Sequence, residues 1–362
     1  MNAPSMPGSR PVAWGTGNNR SVTDAAEGAV TDEGMTMNKR ATRNATLLLA
    51  LWLAAGPAAA QDEADDGVET TVKPLPSEIM PLTPGSLLLD IVNTGEHLIA
   101  VGDRGAVVVS NDGVKWAQVQ TPTRAPLTAV DFVDAEHGWA VGHDAVILHT
   151  ADGGRSWEIQ NFEPELEMPL LDVLFLDQER GFAIGAYGLF YATTDGGASW
   201  EEVDSPIRED EWHFNSMTQL ADGALFIAGE SGTLAISTDE GQTWSAVESP
   251  YESSLFGALP YADKGVVIFG LRGNVFVSED AGSGEWREVT TGSVASMFGG
   301  TLLDDGRKAM VGVNGNVMLS ANGIDEITVL KSAAGTPLSS VIPLGDVLLA
   351  VGESGVQRIA LQ

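Results

Sequence analysis

The chain has 362 residues, a formal net charge of −31 and no cysteine. The missing cysteine excludes disulfides, zinc–thiolate centres and a cysteine nucleophile. The acidity argues against nucleic acid, which needs a basic footprint, and against docking to anionic lipid headgroups; with 43% hydrophobic residues, the acid belongs to the surface of a folded protein.

Residues 1–36 are rich in Gly, Ser, Asn and Thr and show no apolar period. They read as a disordered extension or as the product of a start codon set too far upstream. From Met37 the pattern changes. Lys39, Arg40 and Arg43 precede the apolar run Ala45–Ala55, and Ala58–Ala60 offers a small-residue cleavage site before Gln61. Residues 37–60 therefore read as a secretory signal peptide, too short to span a bilayer as a stable helix. No cysteine follows the cleavage site, so a lipid anchor is not expected. The expectation is a soluble protein released into a periplasm. Gln61–Gly67 is a short acidic linker, and residues 68–362 are expected to form one domain.

That domain is a repeat. An apolar residue followed by Gly recurs at Gly102, Gly142, Gly185, Gly229, Gly270, Gly312 and Gly352, at intervals of 40–44 residues. A second phrase, Ser/Thr-x-Asp-x-Gly-x-Ser/Thr-Trp, occurs at Thr150–Trp157, Thr193–Trp200 and Ser237–Trp244. A shorter copy spans Ser110–Trp116 and a longer one Ser278–Trp286. Its Asp and Ser/Thr side chains suit a tight turn, and Gly supplies positive backbone angles. Asp112, Asp152, Asp195, Asp239 and Asp280, with Trp116, Trp157, Trp200, Trp244 and Trp286, therefore read as structural. Within one unit, Leu127–Val133, Gly138–Gly142, Ala145–Thr150 and Trp157–Gln160 read as four strands. Seven such units predict an all-β, seven-bladed β-propeller of four-stranded blades with almost no helix. The seventh unit shows only three strands, so a strand from within Val68–Pro76 is expected to close the last blade and blunt its edge.

In this topology the aspartate turns occupy one face of the disc. The opposite face carries the loops between second and third strands and the links between blades. Those loops vary while their frame is fixed, as function-carrying loops on a rigid scaffold do. They supply the candidate partner-binding residues Arg104, His143, Asp144, Tyr187, Glu230, Arg272, Asn314 and Glu353. Two long links, Phe162–Pro169 and Ser205–Phe214, add Phe162, Trp212, His213 and Phe214 among acidic neighbours. They are expected to form either an exposed aromatic patch with an acidic rim or a loop under which Trp212 and Phe214 pack while the acids are solvated. The five histidines show no metal spacing, and there is no nucleophile elbow and no phosphate-cradling loop. No catalytic residue, metal or cofactor is expected. Carboxylates are plentiful, so a glycan-acting hydrolase or lectin remains the alternative reading.

The aspartate phrase resembles the Asp-box, or bacterial neuraminidase repeat, which sialidases also carry. The chain lacks the Arg-Ile-Pro motif of sialidases, and its four tyrosines come without a matching arginine set. The combined phrase in Ile184–Trp200 (IGAYGLFYATTDGGASW) and Ala228–Trp244 (AGESGTLAISTDEGQTW) is similar to the seven-bladed photosystem II stability and assembly factors. That resemblance implies a non-enzymatic protein-binding propeller, monomeric, with a partner in a membrane or envelope complex. Cyanobacterial members are commonly lipoproteins with a basic patch. Here the only basic residues in the second-to-third strand loops are Arg104 and Arg272.

Overall fold

The computed structural model describes residues 72–361 except Asn322. The expected extension (1–36), signal peptide (37–60), acidic linker (61–67) and Val68–Thr71 lie outside the described residues. Among those described, regular structure is strand and three-residue 3-10 turns, and no helix is long and apolar enough to cross a membrane.

Seven antiparallel sheets form in chain order, and each innermost strand packs against those of its neighbours, the seventh against the first. This is the expected seven-bladed propeller. The innermost strands are Leu88–Asn93, Leu127–Phe132, Leu170–Phe175, Phe214–Gln219, Leu255–Tyr261, Met297–Leu302 and Leu338–Leu344. The second strands read as unbroken apolar runs because neighbouring blades cover both their faces; Leu98–Gly102 and Gly138–Gly142 are buried at every residue.

The recurrent glycine has a specific cause. A Cβ on Gly102 would collide with the carbonyl oxygen of Leu87, just before the innermost strand, and all seven anchors stand in the same relation to their own blade. The bare backbone lets that carbonyl accept the next amide. Asp103 donates to Leu87 O at 3.1 Å, His143 to Pro126 O at 2.9 Å and Glu230 to His213 O at 2.8 Å. Each second-to-third strand loop is thereby tied to the entry of its own innermost strand.

Each innermost strand also carries a bulge at its second residue, where the register with the second strand skips one position.

The seventh blade departs from expectation. Among the described residues it holds three strands, and the described part of the proposed closing segment, Val72–Pro76, is not a strand. Prolines at 74, 76, 81 and 84 explain this, since proline has no N–H to give a ladder. The segment runs instead as a strap along the outer strand of blade one. Ser77 donates to Thr121 O at 2.9 Å, and Gln118 binds Met80 N, Thr83 Oγ1 and Glu78 O at 2.7–3.0 Å. The strap then reaches blade seven, where Pro84 O accepts Val356 N at 3.2 Å. The seam between blades seven and one has an apolar core, in which Leu349 and Val351 join Leu88, Ile91 and Ala100 in one cluster.

Candidate partner-binding face

Each of the first six second-to-third strand loops places a non-glycine residue in the left-handed region: Arg104, Asp144, Tyr187, Ser231, Arg272 and Asn314, with φ between 53° and 61°. In five of the six the following residue is a glycine that also has positive φ and is buried against the next link; a Cβ at Gly105 would overlap Thr123 O. Chain direction and hydrogen bonds leave the αL residue nowhere to point but outward. Tyr187 is 57% exposed and the Arg104 side chain 70%. Left-handed geometry costs an L-residue about 1–2 kcal/mol and is rare for bulky ones. Tyr187, Arg104 and Arg272 thus carry strain that the fold does not require of their side chains, a pattern that clusters at functional sites.

The other candidates divide. His143, Asn314 and Glu353 are exposed on the same face. His213 and Glu230 form a pair at 3.2 Å beneath Tyr187, whose ring meets the His213 ring edge-on at 4.7 Å. Trp212 is 41% exposed beside them. The broader aromatic patch does not form. Phe214 is fully buried, because it opens the innermost strand of blade four, and Phe162 packs onto the core shared by blades one and two. Glu163 turns inward and accepts the Tyr191 hydroxyl at 3.1 Å. The aromatic feature of this face is Tyr187 with Trp212 and His213.

At the centre of the same face lies a feature with no sequence signature. The seven bulge residues surround the channel mouth: Leu89, Leu171, Phe256 and Phe298 are apolar, and Thr128, Asn215 and Ser339 polar. They line a cavity of about 330 Å³. Bulges re-aim side chains in this way next to functional sites. Asp90 and Asp172 line the same cavity, two blades apart at one register position. With Asp131 they bridge blades. Asp90 takes N–H bonds from Ile91 and Val130, Asp131 from Phe132 and Phe175, and Asp172 from Val173 and Met217, at 2.7–2.9 Å. Burial pushes Asp131 up to about 6 and Asp172 up to about 8 despite these bonds, and raises Asp90 as well.

The aspartate turns lie at the far end of the blades. Asp152 accepts Arg155 N and Ser156 N at 2.9 Å and the Ser156 hydroxyl at 2.6 Å; Asp195 and Asp239 repeat the hydroxyl bond. The Thr243 hydroxyl and the other bonds at Asp239 hold its carboxyl down at about 2. Asp112 accepts Val114 N and Lys115 N at 2.8 Å, whereas the carboxylate of Asp280 accepts only Gly282 N, at 3.1 Å. Trp157 and Trp244 are buried and donate to Gly154 O and Gly241 O. Trp116, Trp200 and Trp286 are partly buried, and Trp286 donates to Glu248 O of blade four. These turns also reach back one blade. Gly113 meets Leu344 and Leu349 of blade seven, Gly154 meets Ile99 of blade one, and Gly241 meets Phe182 of blade three. The aspartates and the glycines of this face are thus committed to holding turns and seams. Among the described residues no three His, Asp or Glu side chains converge to hold a metal.

Comparison with known proteins agrees with this geometry. The family model described as photosynthesis system II assembly factor YCF48 matches residues 108–168 and 160–321. The photosystem II stability/assembly factor HCF136 of Cyanidioschyzon merolae is 37% identical over 83 residues, 21% of this chain and 19% of that protein. The photosystem II assembly protein Ycf48 of Thermosynechococcus vestitus is 44% identical over 43 residues, 12% of each chain. The matched stretches thus span less than a fifth of these relatives. Among solved structures, YCF48 bound to D1 peptide aligns with a TM-score of 0.61 at 16% identity, over 80% of this chain and all of that one. YCF48 from C. merolae aligns at 0.62 and 17%, over 78% of this chain and 98% of that one. The WD40 propeller domain of Doa1 aligns equally well at 0.62 and 12%, over 79% and 95%, so these likenesses report the fold. The match of the family model across residues 108–321 decides the matter: the chain belongs to the photosystem II assembly factor Ycf48 family.

Proposed function

We propose that this chain is an exported, non-enzymatic assembly factor that acts as a monomeric propeller in a periplasm. Its second-to-third strand loop face holds an extended segment of a protein partner belonging to a membrane or envelope complex. The observation that carries this reading is the set of bulky residues in left-handed geometry on that face: Arg104, Tyr187 and Arg272 are displayed at a cost in stability. The solved YCF48 bound to a D1 peptide supports a peptide as the kind of ligand, and the family's name supports assembly as the role.

The aspartate-turn face is the internal control, since its aspartates are already engaged in their own turns. Partner capture from the native envelope tests the reading, with Tyr187→Ala and Arg272→Glu on one face and Lys115→Glu on the other. The first two variants lose the partner and the third keeps it. Equal retention by all three refutes the reading.

A further inference from the structure

The channel mouth can be given a more definite ligand; the inference rests on the loop-face reading and names what that face holds at its centre. Gly257, Gly299 and Gly300 of blades five and six also line the cavity of about 330 Å³. Its apolar wall is Leu89 and Leu171 on one side and the edge-on pair Phe256–Phe298, 5.4 Å apart, on the other. Deeper, Asp90 and Asp172 face it, and no basic side chain lines it. Each carboxylate takes two main-chain N–H bonds, and Asp90 also takes the Ser340 hydroxyl; an ionised carboxylate has about four acceptor positions, so each retains room for a further donor.

An apolar collar above paired carboxylates complements a cation on an aliphatic stem. We propose that the channel mouth takes a lysine side chain of the partner protein, its methylenes against Leu89, Leu171, Phe256 and Phe298 and its ammonium against Asp90 and Asp172. Such a group buries its stem while its charge finds partners. Lysine suits a narrow, deep site as a compact charge on a flexible stem.

The charge environment supports this. The titratable groups on the inner strands of blades one to three are Asp90 and Asp172, which line the cavity, and Asp131 between them in the chain. The inner strands of blades four to seven add only Tyr261, at the far end beside Lys308, and the second strands add only Lys308. Arg104, Asp144, Glu230, His213 and Arg272 stand farther out on the rim. Burial holds Asp172 up to about 8, so an arriving ammonium displaces a proton from it, and binding strengthens as pH rises.

The test uses the full chain, methyl-labelled at leucine, with n-pentylammonium as probe and n-pentanol and n-pentanoate as controls. The expected result is saturable shifts of the Leu89 and Leu171 methyls with pentylammonium, at least fivefold tighter than with pentanol, and none with pentanoate. Affinity rises at least threefold from pH 6 to pH 9. Asp172→Asn reduces pentylammonium to the level of pentanol. Ser339→Phe fills the cavity without touching a carboxylate and abolishes the shifts. Equal binding of pentanol, absence of shifts, or shifts that survive Ser339→Phe overturns the proposal. If pentylammonium fails while Tyr187→Ala and Arg272→Glu still lose the partner, the lysine site falls and the loop-face reading stands.

Discussion

Asp172 on blade three accepts the main-chain N–H of Met217 on blade four at 2.7 Å. The innermost strands of neighbouring blades share no ladder, so their amides need other acceptors. Asp90 does the same for Val130 and Asp131 for Phe175, which staples blades one to four around the channel.

These staples set a pH dependence. Burial raises Asp131 to about 6 and Asp172 to about 8 from an ordinary value near 3.8. Between pH 4 and pH 8 the folded state therefore holds protons that the unfolded state has lost, so stability falls as pH rises through that window. Aspartates such as Asp239, held low by hydrogen bonds, act in the opposite sense only below about pH 4. Thermal unfolding at pH 5 should therefore occur several degrees above that at pH 8. Asp172→Asn should flatten the slope; a slope unchanged in that variant would assign it to the general acidity of the surface.

The aspartate turns differ in how much they hold. The Asp152 carboxylate accepts two amides and two hydroxyls, whereas that of Asp280 accepts one amide. Asp152→Ala should cost about 1–3 kcal/mol in denaturant unfolding, and Asp280→Ala clearly less. Equal costs would show that the turns are held by their glycines and tryptophans alone.

Arg104→Gly and Arg272→Gly remove the left-handed strain at two display positions. Each should leave the fold as stable or up to about 1 kcal/mol more stable. Partner affinity should fall at the same time. A variant that loses stability instead would mean that the side chain serves the fold.

The strap along blade one depends on Gln118, which binds it at three points. Gln118→Ala should release residues 76–83, seen as faster amide exchange at Met80 and faster proteolysis of the segment. The propeller core should keep its protection, since the apolar seam of Leu349 and Val351 against Leu88 remains.

Much of this was legible in the sequence. The glycine anchors are spaced as the blades are because each must admit the same carbonyl. The aspartate turns read as structural because they recur. Phe214 was misplaced because Trp212-His213-Phe214 looks like one exposed run. Spacing held the answer: Phe214 precedes Gly229 by the 15 residues that separate Leu127 from Gly142 and Leu170 from Gly185. No closing strand forms over Val72–Pro76, where the prolines are visible in the chain. The bulge ring left no trace, because Leu89, Thr128, Asn215, Phe256 and Ser339 share a position but no chemistry. A site made by backbone register is invisible to residue type.

The central claim is that one face of the disc binds a protein partner and the other holds the ring together. Photo-crosslinking in the native envelope tests it directly, with the reactive residue placed singly at Arg104, Tyr187, Ser231 and Arg272, and at Val114, Arg155 and Ala198 on the aspartate turns. The account predicts crosslinks to one discrete protein from the first set and none from the second. Crosslinks to that protein from the aspartate turns, or none from the loop face, would contradict it.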